Sequence, residues 1–224
     1  MLIFALQNHN TSRNGSRYFI CLSMKKFIIS VFVLFSAVIG AKAQFGVGAG
    51  YLNHVNTVNV GSNSNTYTLN GFYAGLDAGY YVGYGIHIAP GIYYGYVTGR
   101  NAVPGMALEG NYYKHEISIP INVRYSIDLG ESIGFFAYAG PQFTIGLISS
   151  SSTTIGSEPR SINNLSSDGG EKHFNAGLGF GLGVDIVKSL RFSAGYTIGM
   201  LDTVRNEDIT SKVNTLQVGL QLLF

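Results

Sequence analysis

Cysteine is nearly absent from this sequence: Cys21 is the only one in 224 residues. A lone thiol cannot build an internal disulfide or a multi-cysteine metal site. Charge is scarce too, at 12% of residues, about half of ordinary soluble usage. Tryptophan is missing, and proline occurs only five times. No G-x-S-x-G, H-E-x-x-H or metal-spaced Cys/His set occurs, so the common hydrolase and metalloprotease signatures are absent. The main apolar run, Phe27 to Ile39, is shorter than the ~20 residues a membrane-spanning helix needs. What is abundant is glycine (30 residues), tyrosine (15) and phenylalanine (14), at a modest mean hydropathy of +0.20. That balance suits many glycine-relieved strands with aromatic margins better than a soluble enzyme.

The front of the chain reads as a targeting segment. Met24-Lys25-Lys26 is a basic start, Phe27 to Ile39 an apolar stretch, and Ala41-Lys42-Ala43 a small-x-small cleavage pattern before Gln44. Residues 24–43 are therefore expected to be a signal peptide, with 1–23 a misassigned extension ahead of it. Cys21 precedes the apolar stretch and cannot be a lipidated signal cysteine. Residues 1–43 hold five of the fourteen basic residues and none of the twelve acidic ones. The remaining 44–224 is thus mildly acidic, with nine basic against twelve acidic side chains, and carries no nucleic-acid footprint.

Period-two alternation dominates that remainder, placing successive side chains on opposite faces of extended strands. Eight segments show it: Phe45–Leu52, Phe72–Val82, Gly85–Thr98, Glu116–Ile127, Ile133–Leu147, Phe174–Ile186, Leu190–Leu201 and Lys212–Phe224. Each approximates the ~9–11 residues of a tilted transmembrane strand. In the fourth, Ile117, Ile119, Ile121, Val123, Tyr125 and Ile127 share one face and Glu116, Ser118, Asn122, Arg124 and Ser126 the other. An arginine facing lipid at mid-bilayer costs about 2–4 kcal/mol, so Arg124 assigns the polar face to the interior. The connections 53–71, 83–84, 99–115, 128–132, 148–173, 187–189 and 202–211 alternate long and short. Long outer loops and tight periplasmic turns produce that pattern in an even-stranded barrel. The expected fold is all-β: an eight-stranded antiparallel up-and-down transmembrane barrel. Pro90, Pro120 and Pro141 fall inside strands, where they lack a ladder hydrogen bond, so bulges are expected there.

The final strand sets Leu216, Val218, Leu220, Leu222 and Phe224 on one face and Gln217, Gly219 and Gln221 on the other. An apolar strand ending on phenylalanine resembles the closing strand of outer-membrane barrels, which implies recognition by the barrel-assembly machinery. YKHEISIPINVRYSI (Tyr113–Ile127), FFAYAGPQFTIGL (Phe135–Leu147), IHIAPGIYYGY (Ile86–Tyr96) and the closing LQVGLQLLF together resemble the PorT-like outer-membrane β-barrel proteins of Bacteroidetes. The resemblance spans roughly Phe45 to Phe224 and implies a bacterial outer-membrane location and a small barrel. It carries little mechanism, apart from PorT's own link to type IX secretion.

Asp77, His87, Glu116, Arg124, Gln142, Asp185, Arg191, Gln217 and Gln221 are expected to face inward as a structural polar network, since eight strands leave little more room than side chains fill. Asp185 and Arg191 lie symmetrically about Lys188 and should pair across the hairpin. Inward glycines, Gly177 to Gly183 among them, should make room for Tyr73, Tyr81, Tyr93 and Tyr138. Tyr80, Tyr84, Tyr125, Phe135, Phe192 and Phe224 should mark one membrane margin; Tyr51, Phe72, Tyr94, Tyr96, Tyr112, Tyr113 and Phe174 the other. A carbohydrate-stacking surface is the rival reading of these aromatics. His115 and Ser118, three apart, fall on opposite faces and cannot form a dyad. Glu171, His173 and Asn175 could form a rim cluster for hydrolysis or acyl transfer, or an ordinary polar loop.

No catalytic residue, cofactor or metal site is assigned. The expected role is structural or interaction-based, through outer loops on a plugged barrel. The expected partners are outer-membrane lipid, the assembly machinery and an unidentified envelope protein. The alternatives are a component or assembly factor of a secretion apparatus, an enzyme acting on lipid or peptide, and a porin-like diffusion pore.

Overall fold

Alternation of apolar and small or polar residues makes these segments strands, and the computed structural model of the chain shows how they pair. It describes residues 43–102, 109–130, 132–155, 158–166, 170–205 and 209–224. The expected extension, the signal peptide and its Ala41 lie outside the described residues; Ala43 opens the first strand. The strands are β1 (Ala43–Val60), β2 (Asn63–Gly83), β3 (Ile86–Ala102), β4 (Glu109–Leu129), β5 (Ile133–Ile155), β6 (Glu158–Asn163), β7 (Phe174–Ile186), β8 (Leu190–Gly199) and β9 (Ile209–Leu223).

All belong to one sheet in the order β4-β3-β2-β1-β9-β8-β7-β5-β6, and β4 also pairs with β5. The hydrogen-bonded ladder therefore runs round a ring. β1 and β9 meet antiparallel from Gly46↔Leu223 to Val60↔Ile209, so the ring closes through the first and last strands. β6 pairs with the far end of β5, Ser150↔Asn163 to Ile155↔Glu158.

The sheet has nine strands where eight were expected, and three of the four long connections carry strand where loops were expected. Residues 53–71 are a continuation of β1 and β2 joined by a turn at Gly61-Ser62, where Gly61 has φ of +57°. The cause is legible in hindsight: Val55, Thr57 and Tyr67 suit strands, and a two-residue turn with a positive-φ glycine joins hairpins. In 99–115, β3 continues to Ala102 and β4 begins at Glu109. In 148–173 the Ser/Thr run extends β5 to Ile155 and folds back as β6. At 21 to 23 residues, β2, β4 and β5 exceed what a bilayer crossing requires. The opposite end has tight turns at Tyr84-Gly85 (φ of 52° and 78°) and Val187 to Ser189, with positive φ at Val187 and Lys188, and Gly130 has φ of 74° where β4 ends.

The prolines do not produce the expected bulges. Pairing lapses for two residues beside Pro90 and beside Pro120 and then resumes in the same register. Pro141 shares the lapse toward β4 but stays opposite Leu178 in an unbroken ladder toward β7. Losing one donor weakens a rung, but neighbours on both flanks hold the register. The two irregularities fall between Tyr81 and Gly83, and opposite the His115–Glu116 step, where Leu147 is the extra residue.

Facing follows parity along the strands of the ring, shifting by one residue at those two irregularities. Val47, Leu76, Ile88, Ile121, Val123, Phe180 and Leu220 are exposed on the outside, whereas Arg124 is only 3% exposed and points inward. Inside, near the long-hairpin end, Leu52, Leu69, Tyr73, Val97 and Tyr112 form an apolar cluster with Tyr67 and Tyr93 against it.

Candidate functional site

The lumen gathers the polar side chains that would otherwise face the apolar exterior. At the short-turn end, antiparallel pairing sets Asp185 opposite Arg191. Arg191 Nε donates to Asp185 Oδ1 at 2.7 Å and Nη2 to Oδ2 at 2.8 Å, a two-point fork. The Arg191 guanidinium stacks 4.7 Å from the Phe136 ring, and Arg124 lies 5.6 Å from the same ring. Phe136 thus lies within cation–π range of both. Gly183 allows it: an added Cβ there would come within 2.1 Å of the ring. His87 sits near this end, its Nδ1 3.2 Å from the Gly85 carbonyl and its ring against Tyr81.

One layer further in, Tyr93 Oη and Gln221 Nε2 both donate to Asp77 Oδ2, at 2.9 and 3.0 Å, and Gln221 also reaches Tyr93 Oη at 2.7 Å. Across the lumen Thr197 Oγ1 donates to Gln142 Oε1 at 3.1 Å. Gln217 lines the same space, a cavity of about 70 Å³ that also touches Asp77, Arg124, Gln142 and Gln221. Arg124 Nε and Asp77 Oδ1, both buried, have no protein partner there. A space that size holds about two waters at ~30 Å³ each, and a buried donor and acceptor in it call for them.

Above the cavity, Glu116 is buried between His54 Nε2 at 3.1 Å and Lys114 Nζ at 3.6 Å. The apolar cluster of Leu52, Leu69, Val97 and Tyr112 occupies this end. Segments from two connections cover it. Tyr112 Oη donates to Glu171 Oε1 at 3.1 Å and accepts from Ser149 Oγ at 3.0 Å. Asn164 Nδ2 donates to Ser149 Oγ and Ser151 Oγ, and Arg205 reaches the carbonyls of Leu165 and Ser166. Burial, then the nearby Glu171 carboxylate, push the Tyr67 and Tyr112 phenols above the ordinary tyrosine range.

All nine network residues read from the sequence thus face the lumen, in separate layers rather than one chain. Asp185–Arg191 and Asp77–Gln221 are joined directly; His87, Glu116, Arg124, Gln142 and Gln217 make no direct hydrogen bond to the other members among the described residues. On β9, Leu216, Leu220, Leu222 and Phe224 are exposed and Val218 is half-buried, all on the outer face; Gln44, beside the expected cleavage point, reaches Arg191 Nη2 at 3.5 Å. Three aromatic placements differ from expectation. Tyr112 belongs to the interior, because even-numbered positions of β4 point inward. Tyr81 is largely exposed at the short-turn mouth rather than held in the lumen. The inward glycines make room for Tyr73, Tyr93 and Tyr138, and also for Phe136. Phe136, His54 and Lys114 were not read as lumen residues, although parity alone would have turned Phe136 inward.

The rim cluster does not assemble. Glu171 is taken by Tyr112, His173 Nδ1 lies 3.2 Å from the Gly146 carbonyl, and Asn175 Oδ1 accepts from the Ala176 amide. His115 faces out while Ser118 is buried inside.

A family model described as outer membrane protein beta-barrel domain matches residues 41–205. No curated protein sequence matches the chain. Among solved structures it is similar to Neisserial surface protein A (TM-score 0.45, 15% identity, 80% of this chain and 97% of that one). It is similar also to OprG from Pseudomonas aeruginosa (0.46, 11%, 82% and 97%). A third is the outer membrane enzyme PagL (0.41, 15%, 80% and 98%).

Proposed function

The chain belongs to the outer membrane protein β-barrel domain family, an outer-membrane protein by that membership, and from that premise we propose a plugged barrel that works through its outer surface. Eight of its nine strands cross the bilayer, with the tight turns in the periplasm and the strand extensions outside. The observation that carries this is the lumen: an apolar cluster caps two charged layers, and the cavity among them that Asp77, Arg124 and Gln142 line is about 70 Å³. Such an interior suits rigidity rather than solute flow. Residues 24–43 act as the export signal, and the finer affiliation is PorT-like. Its partners are outer-membrane lipid, the assembly machinery during biogenesis, and an envelope protein that the extensions engage.

Planar-bilayer recording tests the plug. Reconstituted protein should give no stable single-channel steps, and reproducible unitary conductance would overturn the reading. The chain acts without catalysis on this view, so lipid A mass profiles should be the same with and without it. Stoichiometric recovery of a secretion subunit from solubilised membranes would move the role to that apparatus.

A further inference from the structure

Along the outward face of β3, side chains change character in order. Ile88 and Ile92 are apolar, Tyr94 and Tyr96 aromatic, Thr98 small and polar, and Arg100 cationic and exposed. Successive outward positions are ~7 Å apart along a strand, so this order maps acyl chain, interface and headgroup depth. β4 pairs in register, with Tyr96 opposite His115, Thr98 opposite Tyr113 and Arg100 opposite Asn111.

His115 is enclosed by three tyrosine rings, with centroids at 4.9 Å for Tyr96 and 5.9 Å for Tyr94 and Tyr113. Its Nδ1 hydrogen-bonds Tyr94 Oη, and Phe72 lies tilted against Tyr96 with centroids 5.6 Å apart. The result is an aromatic platform wider than a simple margin of spaced rings. Outward positions of β1 through β3, and of β4 from Asn111 to Leu129, carry no carboxylate.

We propose that this platform binds the phosphorylated sugar headgroup of an outer-leaflet glycolipid. Tyrosine faces stack on a sugar ring, Arg100 and the His115 imidazole take a phosphate, and the isoleucines below meet the acyl chains. A guanidinium suits phosphate because its fork matches the oxygens, and tyrosines favour this depth because one end is apolar and the other wet. An ordinary phospholipid would use the cation but not the stacking surface. The site rests on the orientation proposed above, with the hairpin extensions outside.

The test compares unfolding midpoints by heat-modified gel migration in detergent, with added lipid A, phosphatidylglycerol or inorganic phosphate. Lipid A should raise the wild-type midpoint by several degrees, and the other two by far less. Arg100→Ala with His115→Ala, both exposed-face changes, should lose most of that shift, as should Tyr96→Ala. Phe192→Ala at the opposite margin should keep it. An equal shift in wild type and the double variant, an equal response to phosphatidylglycerol, or no response to lipid A would overturn the proposal. Orientation is read separately: Ser62→Cys in a Cys21→Ser background should react with an impermeant maleimide on intact cells. No labelling there would remove the outer-leaflet assignment and the orientation together, whereas a failed lipid A shift leaves the orientation standing.

Discussion

The two ends of this barrel wall are built on opposite polarity rules. Toward the short turns, Val47, Leu76 and Leu222 face out while Asp77, Arg191 and Gln221 face in. Toward the long hairpins, Asn53, Asn70 and Thr98 are outside while Leu52, Leu69 and Val97 are buried inside. The same strands thus pass from a lipid-exposed wall around a polar lumen to a water-exposed wall around an apolar core. One backbone pattern serves both because strand parity only separates faces; the surrounding solvent decides which face must be apolar. The crossover falls near Tyr51, Phe72 and Tyr96, the aromatic margin.

That contrast predicts different costs for similar damage. The largest effect should come from the polar end. Arg191→Ala strands Asp185 and removes the cation from Phe136, and breaking a buried pair costs about 3–5 kcal/mol. It should lower the unfolding midpoint in heat-modified gels, and joint replacement by Asp185→Asn with Arg191→Met should recover part of the loss. Equal midpoints for Arg191→Ala and wild type would mean this end is not held by its charges. At the apolar end, Leu69→Ala should cost about 2–5 kcal/mol through cavity formation, since Leu69 is 1% exposed. The lipid-facing Leu76→Ala should cost far less in the same assay, and similar losses would erase the distinction between core and wall. The smallest effect is at the cap. Tyr112→Phe removes a hydroxyl bridging Ser149 and Glu171 and should cost about 1–3 kcal/mol. It should also speed amide exchange at Glu171 more than at Asp77; uniform change would mean the cap is not a separate unit.

Legibility in the sequence followed the same divide. Within the lipid-facing part, facing was readable at nearly every position, because Ile117 to Ile127 on β4 or Leu216 to Phe224 on β9 admit only one assignment. The symmetric Asp185–Arg191 placement was readable too, since a short hairpin turn fixes its own register. Beyond the margin the signal weakened: Asn53 to Val60 and Ser149 to Thr154 have loop-like composition, yet both pair along their length. A polar exterior and a short apolar interior lack the strong alternation of a lipid-facing strand. Tyr112 has the height of a margin residue along β4, but its even position turns it inward.

By itself the sequence determined the strand parity, the polar lumen and the closing role of the last strand, since hydrocarbon outside allows no alternative distribution of these side chains. Only the tertiary structure decided how far the strands continue, that β6 adds to β5, and that Arg124 and Arg191 both approach the Phe136 ring. Those features depend on which residues face each other across the closed ring, and distances across a lumen are not encoded in any single strand's periodicity.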